Sequence, residues 1–218
     1  MSDANKAFYG LPQEVKFCKK CVISNQRPSS TIEFKNEKGE KKSVINFSDD
    51  GICSACIFQA EKETNIDWAS RDDDLRKLLA GFRSSDGSYD VIVPGSGGKD
   101  SAYTAHILKY KYGMNPLTVT WAPHLYTDIG MKNFQEWMHT GGLDNILYTP
   151  NGKLHREMTR NAFHKLLHPF QPFIVGQRII GPAMAKRFGV KLVMYGENQA
   201  EYGNTIEENS NPIMNMDF

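Results

Sequence analysis

The chain has 218 residues, of which 40% are hydrophobic and 23% are charged, and its formal net charge is +1 at pH 7. This composition is typical of a globular protein, and the length suffices for one α/β core with a small additional module. The near-zero net charge gives no support to nucleic-acid binding, and no apolar run reaches transmembrane length. Since the N-terminus contains no apolar signal core, we expect a cytoplasmic location.

The first quarter of the chain contains all of its cysteines. Residues 1–16 are polar and are expected to form a flexible N-terminus, and residues 17–60 form a module with two Cys-x-x-Cys pairs, which are Cys18, Cys21, Cys53 and Cys56. Four thiolates in this arrangement are typical of a tetrahedral Zn²⁺ site in a zinc ribbon. A hairpin predicted over residues 31–47 would bring the pairs together. Disulfides, which are rare in the cytosol, and a redox dithiol are the alternatives.

Residues 61–88 are predicted to form a helical connector. Leu75, Leu78, Leu79 and Phe82 share one face of that helix, which ends near Gly81. From residue 89 the pattern alternates between strands and helices. The predicted strands cover 90–94, 117–121, 145–148 and 191–195, and the predicted helices cover 99–112, 129–140, 153–167 and 173–188. This order favours an α/β domain over residues 89–218, with a mostly parallel sheet and ligands at the carboxyl ends of its strands.

The most informative segment is the loop after the first predicted strand, which reads Pro-Gly-Ser-Gly-Gly-Lys-Asp-Ser over residues 94–101. Glycines at a helix N-terminus let a phosphate approach the backbone N–H groups, where the helix dipole is positive. Ser96 and Ser101 offer hydroxyl groups, and Lys99 offers a positive charge. The loop therefore predicts a phosphate site, and the alternative is a glycine-rich turn without a ligand.

Neither the Walker pattern nor the dinucleotide-binding pattern fits this loop. It resembles instead the Ser-Gly-Gly-x-Asp-Ser loop of the PP-loop ATP pyrophosphatases, enzymes with an adenine nucleotide alpha hydrolase-like fold that split ATP into AMP and pyrophosphate. The resemblance implies ATP as the bound nucleotide. The residues that it implies for nucleotide binding are Gly95, Ser96, Gly97, Gly98, Lys99, Asp100, Ser101 and Trp121.

Three further segments resemble the N-acetyl sugar amidotransferases within that superfamily. They are residues 17–28, with Cys-x-x-Cys-Val-Ile and Arg-Pro; residues 50–56, with Asp-Gly-Ile-Cys-x-x-Cys; and residues 195–203, with Tyr-Gly-Glu-Asn. The resemblance implies an enzyme of lipopolysaccharide or nonulosonate biosynthesis, for example of pseudaminic acid. Such enzymes convert a sugar N-acetyl group into an acetamidino group. Their ammonia comes from a glutaminase subunit through a cyclase-like channel subunit.

The resemblance also implies roles for individual residues. Lys99, Asp100 and Glu197 would be catalytic, and Glu197 with Asn198 would face the sugar. Lys99 would offset charge on the pyrophosphate, and Asp100 would either orient the loop or bind Mg²⁺. Glu197 is either a general base for ammonia or only a hydrogen-bond acceptor. Because family members are much longer, we expect the PP-loop domain to be incomplete at its C-terminus and the chain to be weakly active alone.

Two other functions compete with this hypothesis. One is a PP-loop enzyme that thiolates tRNA, although the lack of cysteines after Cys56 and the near-neutral charge disfavour it. The other is a non-catalytic zinc-ribbon protein whose loop binds a nucleotide. The histidines are interpreted as exposed or structural, except for His124, which follows the second predicted strand.

Overall fold

The computed structural model describes residues 10–27 and 43–197. Its described residues divide into two compact units, one formed by 10–27 with 43–67 and the other by 68–197. Asn198 and most of the predicted hairpin lie outside the described residues. None of the helices within those ranges is long and apolar enough to cross a membrane.

The first unit contains one helix, α1 (Ser54–Thr64), and two isolated antiparallel bridges. One bridge joins Phe17 to Ser24, and the other joins Phe47 to Cys53. Cys18, Ile45 and Cys53 form its small buried cluster. Cys18 and Cys53 are therefore part of the core of this unit, Cys56 packs against that core, and Cys21 is exposed. Cysteines in such a core are typical of small domains that a metal ion stabilises.

The second unit is built on a parallel sheet, which confirms the predicted α/β class. The strands β1 (Val91–Pro94), β2 (Pro116–Trp121) and β3 (Asp144–Tyr148) lie in the order β1-β2-β3. Val91 pairs with Pro116, and Leu117 pairs with Asp144. Every residue of β1 is buried, because helices cover both faces of a parallel sheet.

Helices pack on both faces of this sheet. They are α2 (Trp68–Ala80), α3 (Lys99–Tyr110), α4 (Asp128–His139), α5 (Gly152–Leu166) and α6 (Gln171–Phe188). Residues of α2, α3 and α4 form one buried cluster with Val91 and Val93. Residues of α6 form the other with Ile92, Leu117 and Val119. Alternate residues of β1 therefore point to opposite faces of the sheet, with Val91 and Val93 on one face and Ile92 on the other.

One residue of the predicted apolar helix face is not buried. Leu78 is 54% exposed, whereas Leu79 is buried and Leu75 and Phe82 pack beside it. Residues 75, 79 and 82 follow the i, i+4, i+7 spacing of one helical stripe, and Leu78 lies about 100° from Leu79 around the axis. The buried face of α2 is therefore narrower than its apolar residues indicate.

The fourth predicted strand, 191–195, is also wrong as a full strand. The segment pairs in parallel with β1 through two hydrogen bonds, from Ile92 N–H to Leu192 O and from Met194 N–H to Ile92 O, both 2.9 Å. The next donor along β1 on that side would be Pro94, which has no N–H. The ladder therefore stops after one residue pair.

This pairing nevertheless determines where a ligand can bind. β2 and β3 lie on one side of β1, and segment 191–195 lies on the other. The order in which successive strands are added to the sheet therefore changes direction at β1. In open α/β sheets the ligand crevice lies at the carboxyl end of the strands at such a point. Here that is where residues 95–101 and Gly196 follow their strands.

Candidate functional site

The loop after β1 leads directly into helix α3. Gly98 is the N-cap residue of α3, with φ −67° and ψ 156°, and it offers no side chain to the N–H groups of the first turn. The Ser101 hydroxyl donates to the Gly98 carbonyl at 3.1 Å, and Ser96 is exposed. The first turn of α3 therefore presents backbone donors and the positive end of the helix dipole at the carboxyl edge of the sheet.

The three glycine positions of the loop differ in how closely other atoms would approach a side chain there. A Cβ at Gly95 would lie 2.3 Å from Ser101 Cβ, and a Cβ at Gly97, where φ is +83°, would lie 2.8 Å from Phe134 Cα. Both positions therefore require glycine for the fold itself. A Cβ at Gly98 would have no atom of the described residues within 4 Å. Within the described part of the chain, no neighbouring atom therefore requires glycine at Gly98.

The two charged residues of the loop pair with each other. Lys99 Nζ lies 2.6 Å from Asp100 Oδ1, and the side chains are 88% and 43% exposed. An ion pair this exposed contributes little to stability. Both predicted catalytic side chains thus lie at the open edge of the sheet, where a ligand can reach them.

The segment after residue 195 packs against the first turn of α3. A Cβ at Gly196 would lie 2.5 Å from the Asp100 carbonyl carbon and 2.6 Å from Ser101 N. This close approach of two backbones places the exposed Glu197 beside the loop. The backbone at Glu197 therefore lies near the start of α3, and the roles of Glu197, Lys99 and Asp100 stay predictions.

Trp121 lies at the end of β2 and packs within an aromatic cluster. Its ring stacks on Tyr148, with centroids 5.0 Å apart and planes at 25°, and lies 6.2 Å from the ring of His155. A Cβ at Gly176 would lie 2.2 Å from Trp121 Cε2. The indole is thus held by its neighbours, and its Nε1 is buried without a hydrogen-bond partner among the described residues.

His124, which the sequence singled out, packs against the same cluster. Its ring centroid lies 4.7 Å from that of His155, and it also contacts Phe170 and Phe173. Burial, and then the neighbouring charge of His124, lower the pKa of His155 below 6.5. His155 is therefore held in its neutral form at neutral pH.

Sequence reasoning missed the residues that support the loop from below. Trp137 of α4 lies beneath Gly95, and the Phe134 backbone lies beneath Gly97. The apolar spacing of α4 indicates a buried face, but no local pattern tells which loop that face contacts.

The cysteine cluster is a complete set of metal ligands within the first unit. The four sulfur atoms of Cys18, Cys21, Cys53 and Cys56 all lie within 4.8 Å of one another. The Cys18–Cys56 and Cys21–Cys53 distances between sulfurs are 4.0 and 3.7 Å. A tetrahedral Zn²⁺ with Zn–S bonds of about 2.3 Å needs sulfurs about 3.8 Å apart. The cluster therefore fits zinc without rearrangement of the chain.

Backbone N–H groups stabilise the thiolate form of Cys18 in this cluster. Burial acts to raise the pKa of Cys18, but N–H groups, including those of Cys53 and Lys20 at 3.3 Å from its sulfur, lower it to about 6. Burial and the thiol of Cys21 raise the pKa of Cys56 to about 12. Four crowded sulfurs cannot all ionise alone, and a dication supplies the charge that lets them do so.

No family model matches the chain. An uncharacterized protein of Methanocaldococcus jannaschii is 31% identical over 78 residues, which are 36% of this chain and 27% of that protein. Among solved structures, NMN synthetase from Francisella tularensis is similar over 62% of this chain and 56% of that one, with 14% identity and a TM-score of 0.43. The chain spans less than two thirds of either protein, and its α/β class rests on its own parallel sheet.

Proposed function

We propose that residues 68–197 bind ATP at the loop Gly95–Ser101 and use it to adenylylate an oxygen atom, as PP-loop ATP pyrophosphatases do. The observation that carries this proposal is the place of the loop in the sheet. The loop leads into the first turn of α3, whose N-cap residue Gly98 offers no side-chain cap, at the carboxyl edge where β2 and segment 191–195 lie on opposite sides of β1. An anion at that edge would meet the N–H groups at the start of α3.

The loop supplies electrostatic stabilisation in this mechanism. The N–H groups of the first turn and the hydroxyls of Ser96 and Ser101 would stabilise the charge that develops on the departing pyrophosphate. Asp100 would hold Mg²⁺ against the phosphate oxygens, where the ion would neutralise their charge. Glu197, beside the first turn of α3, would face the acceptor or accept a proton from it.

The substrate in this proposal is an N-acetylated sugar, which rests on the resemblance of residues 17–28, 50–56 and 195–203 to the sugar amidotransferases. The amide oxygen attacks the α-phosphorus of ATP and pyrophosphate leaves, which yields an O-adenylylated imidate and releases the amide proton. Ammonia adds to the imidate carbon, and the C–O bond breaks with loss of AMP. The product is an acetamidino sugar. Adenylylation is needed because an amide oxygen is a poor leaving group.

The cysteine module has a structural role in this proposal. Zn²⁺ held by Cys18, Cys21, Cys53 and Cys56 would stabilise a unit whose buried core is small. The expected partners are a glutaminase, which releases ammonia from glutamine, and a cyclase-like subunit that conducts it. We propose no nucleic-acid partner, in line with the net charge of +1.

Binding of Mg·ATP to Gly98→Val tests the loop. A Cβ at Gly98 meets no atom of the described residues, so the variant should fold, while the added side chain would obstruct the first turn of α3, where the phosphate would bind. We expect calorimetry to show at least about tenfold weaker ATP binding, which corresponds to about 1.4 kcal/mol.

Gly152→Val is the matched control. Gly152 is the first residue of α5, and a Cβ there also has nothing within 4 Å. It should bind ATP as the unchanged protein does. Equal ATP affinity in both variants, or no ATP binding by the unchanged protein, would contradict the proposal.

A further inference from the structure

A second cationic residue lies at the same edge of the sheet as the loop. Gly176 of α6 contacts Trp121 at the end of β2, and Gly181 contacts Pro94 at the end of β1, where a Cβ would lie 2.7 Å from Pro94 Cγ. Residues of α6 that precede Gly181 therefore lie at or beyond the carboxyl ends of the strands. Arg178 is three residues before Gly181, so it lies about 4.5 Å further along the axis, on the same side of α6.

Arg178 belongs to the half of α6 that lies at the carboxyl edge of the sheet, and its side chain is partly buried. Helical side chains lean towards the helix N-terminus, which for α6 is the direction of that edge.

A proline fixes Arg178 to the segment that leads to Glu197. Pro182 lies inside α6 and has no N–H, so the Arg178 carbonyl loses its helical donor. The Tyr195 hydroxyl donates to that carbonyl instead, at 3.2 Å. Burial raises the pKa of Tyr195, and the positive charge of Arg178 acts in the opposite direction. The guanidinium therefore lies within electrostatic range of the residue that precedes Gly196.

The charge balance of the site calls for such a cation. Lys99 and Asp100 pair at 2.6 Å and contribute no net charge, and Glu197 adds a negative one. The triphosphate of ATP is strongly anionic, and the Mg²⁺ that Asp100 would hold, together with the helix dipole of about half a charge, offsets only part of its charge. An arginine suits this role because its planar fork binds two phosphate oxygens at once.

We propose that Arg178 binds the phosphates of the nucleotide that the Gly95–Ser101 loop holds. This inference rests on the proposed nucleotide site and assigns it a residue outside the loop motif. Arg178 and the start of α3 hold the anion from two elements, α6 and α3. The hydrogen bond from the Tyr195 hydroxyl to the Arg178 carbonyl fixes the backbone of Arg178 close to the residue that precedes Gly196.

The test compares the affinity of Arg178→Met for Mg·ATP and for adenosine. We expect ATP to bind 10- to 100-fold more weakly, adenosine to bind within twofold of the unchanged protein, and Arg178→Lys to lie between. Arg187→Met is the matched control, because Arg187 lies in the last turn of the same helix, about 13 Å away along its axis. It should leave both affinities unchanged.

Three results would overturn the inference. The first is that Arg178→Met binds ATP as tightly as the unchanged protein. The second is that Arg178→Met loses affinity for adenosine and ATP equally, which would indicate a purely structural role, and the third is that Arg187→Met loses as much ATP affinity as Arg178→Met. If Arg178→Met does not fold, Arg178→Lys must still weaken ATP binding selectively. Failure of the unchanged protein to bind ATP would refute the nucleotide site itself, whereas ATP binding without an effect of Arg178 would refute this assignment alone.

Discussion

Replacing Gly97 and Gly98 separately should show that folding stability depends on glycine at position 97 and depends little on glycine at position 98. Gly97→Ala puts an L residue at φ +83°, which costs about 1–2 kcal/mol in the left-handed region. Its Cβ would also lie 2.8 Å from Phe134 Cα, and overpacking of this kind costs about 1–3 kcal/mol. The expected destabilisation is therefore about 2–5 kcal/mol in total.

Gly98→Ala should change stability far less. With φ −67° and no atom of the described residues within 4 Å of the new Cβ, we expect a change of less than about 1 kcal/mol, because alanine restricts the unfolded chain but is a poorer N-cap residue than glycine.

Urea denaturation and thermal melting measure both effects. In a chain of this size 1 kcal/mol shifts the melting temperature by about 2–4 °C, so Gly97→Ala should melt about 4–20 °C lower. If Gly97→Ala is as stable as the unchanged protein, or if Gly98→Ala loses as much stability, the packing of the loop on α4 is not as described.

Two further predictions concern the metal and the histidine pair. Cys53→Ser removes a fully buried sulfur and should reduce bound zinc from about one ion per chain to none; elemental analysis checks this, with Ser54→Ala as the control that keeps zinc. The pKa of His155 is lowered from 6.5, so the unfolded chain takes up this proton more readily than the folded one. The neutral His155 ring is therefore compatible with the fold above pH 6.5, and the free energy of unfolding decreases as the pH falls below 6.5. Melting between pH 7.5 and 5 should show a smaller loss in His155→Phe than in the unchanged protein, and His164→Phe, which changes an exposed residue of the same helix, should match the unchanged protein.

The sequence predicted the sheet and the loop well because their signals are local. The β-branched run of β1, the glycines and the capped helices each carry their own pattern. The fourth strand failed because its length depends on its partner, where Pro94 withholds a donor from one side only. Leu78 failed because an apolar residue at the margin of a helical stripe does not show how far the core extends.

The environment of the site was harder to predict, because it depends on contacts distant in the sequence. Nothing near Trp121 shows that Gly176 and Tyr148 pack against it. The role of Pro182 in freeing a carbonyl for Tyr195 likewise appears only when α6 and segment 191–195 are placed together. The cysteines are the exception, because the spacing of their pairs alone indicates one common site, and their sulfur atoms do converge.

If the loop serves adenylylation, as we propose, the products of ATP consumption must show it. The assay combines the unchanged protein, Mg·ATP, an N-acetylated sugar and ammonium, with the same mixture lacking the sugar as its control. We expect AMP and pyrophosphate in equal amounts, formed only with the sugar present and reduced in Gly98→Val. Formation of ADP and phosphate, or no consumption of ATP by a protein that also fails to bind it, would rule out adenylylation at this loop.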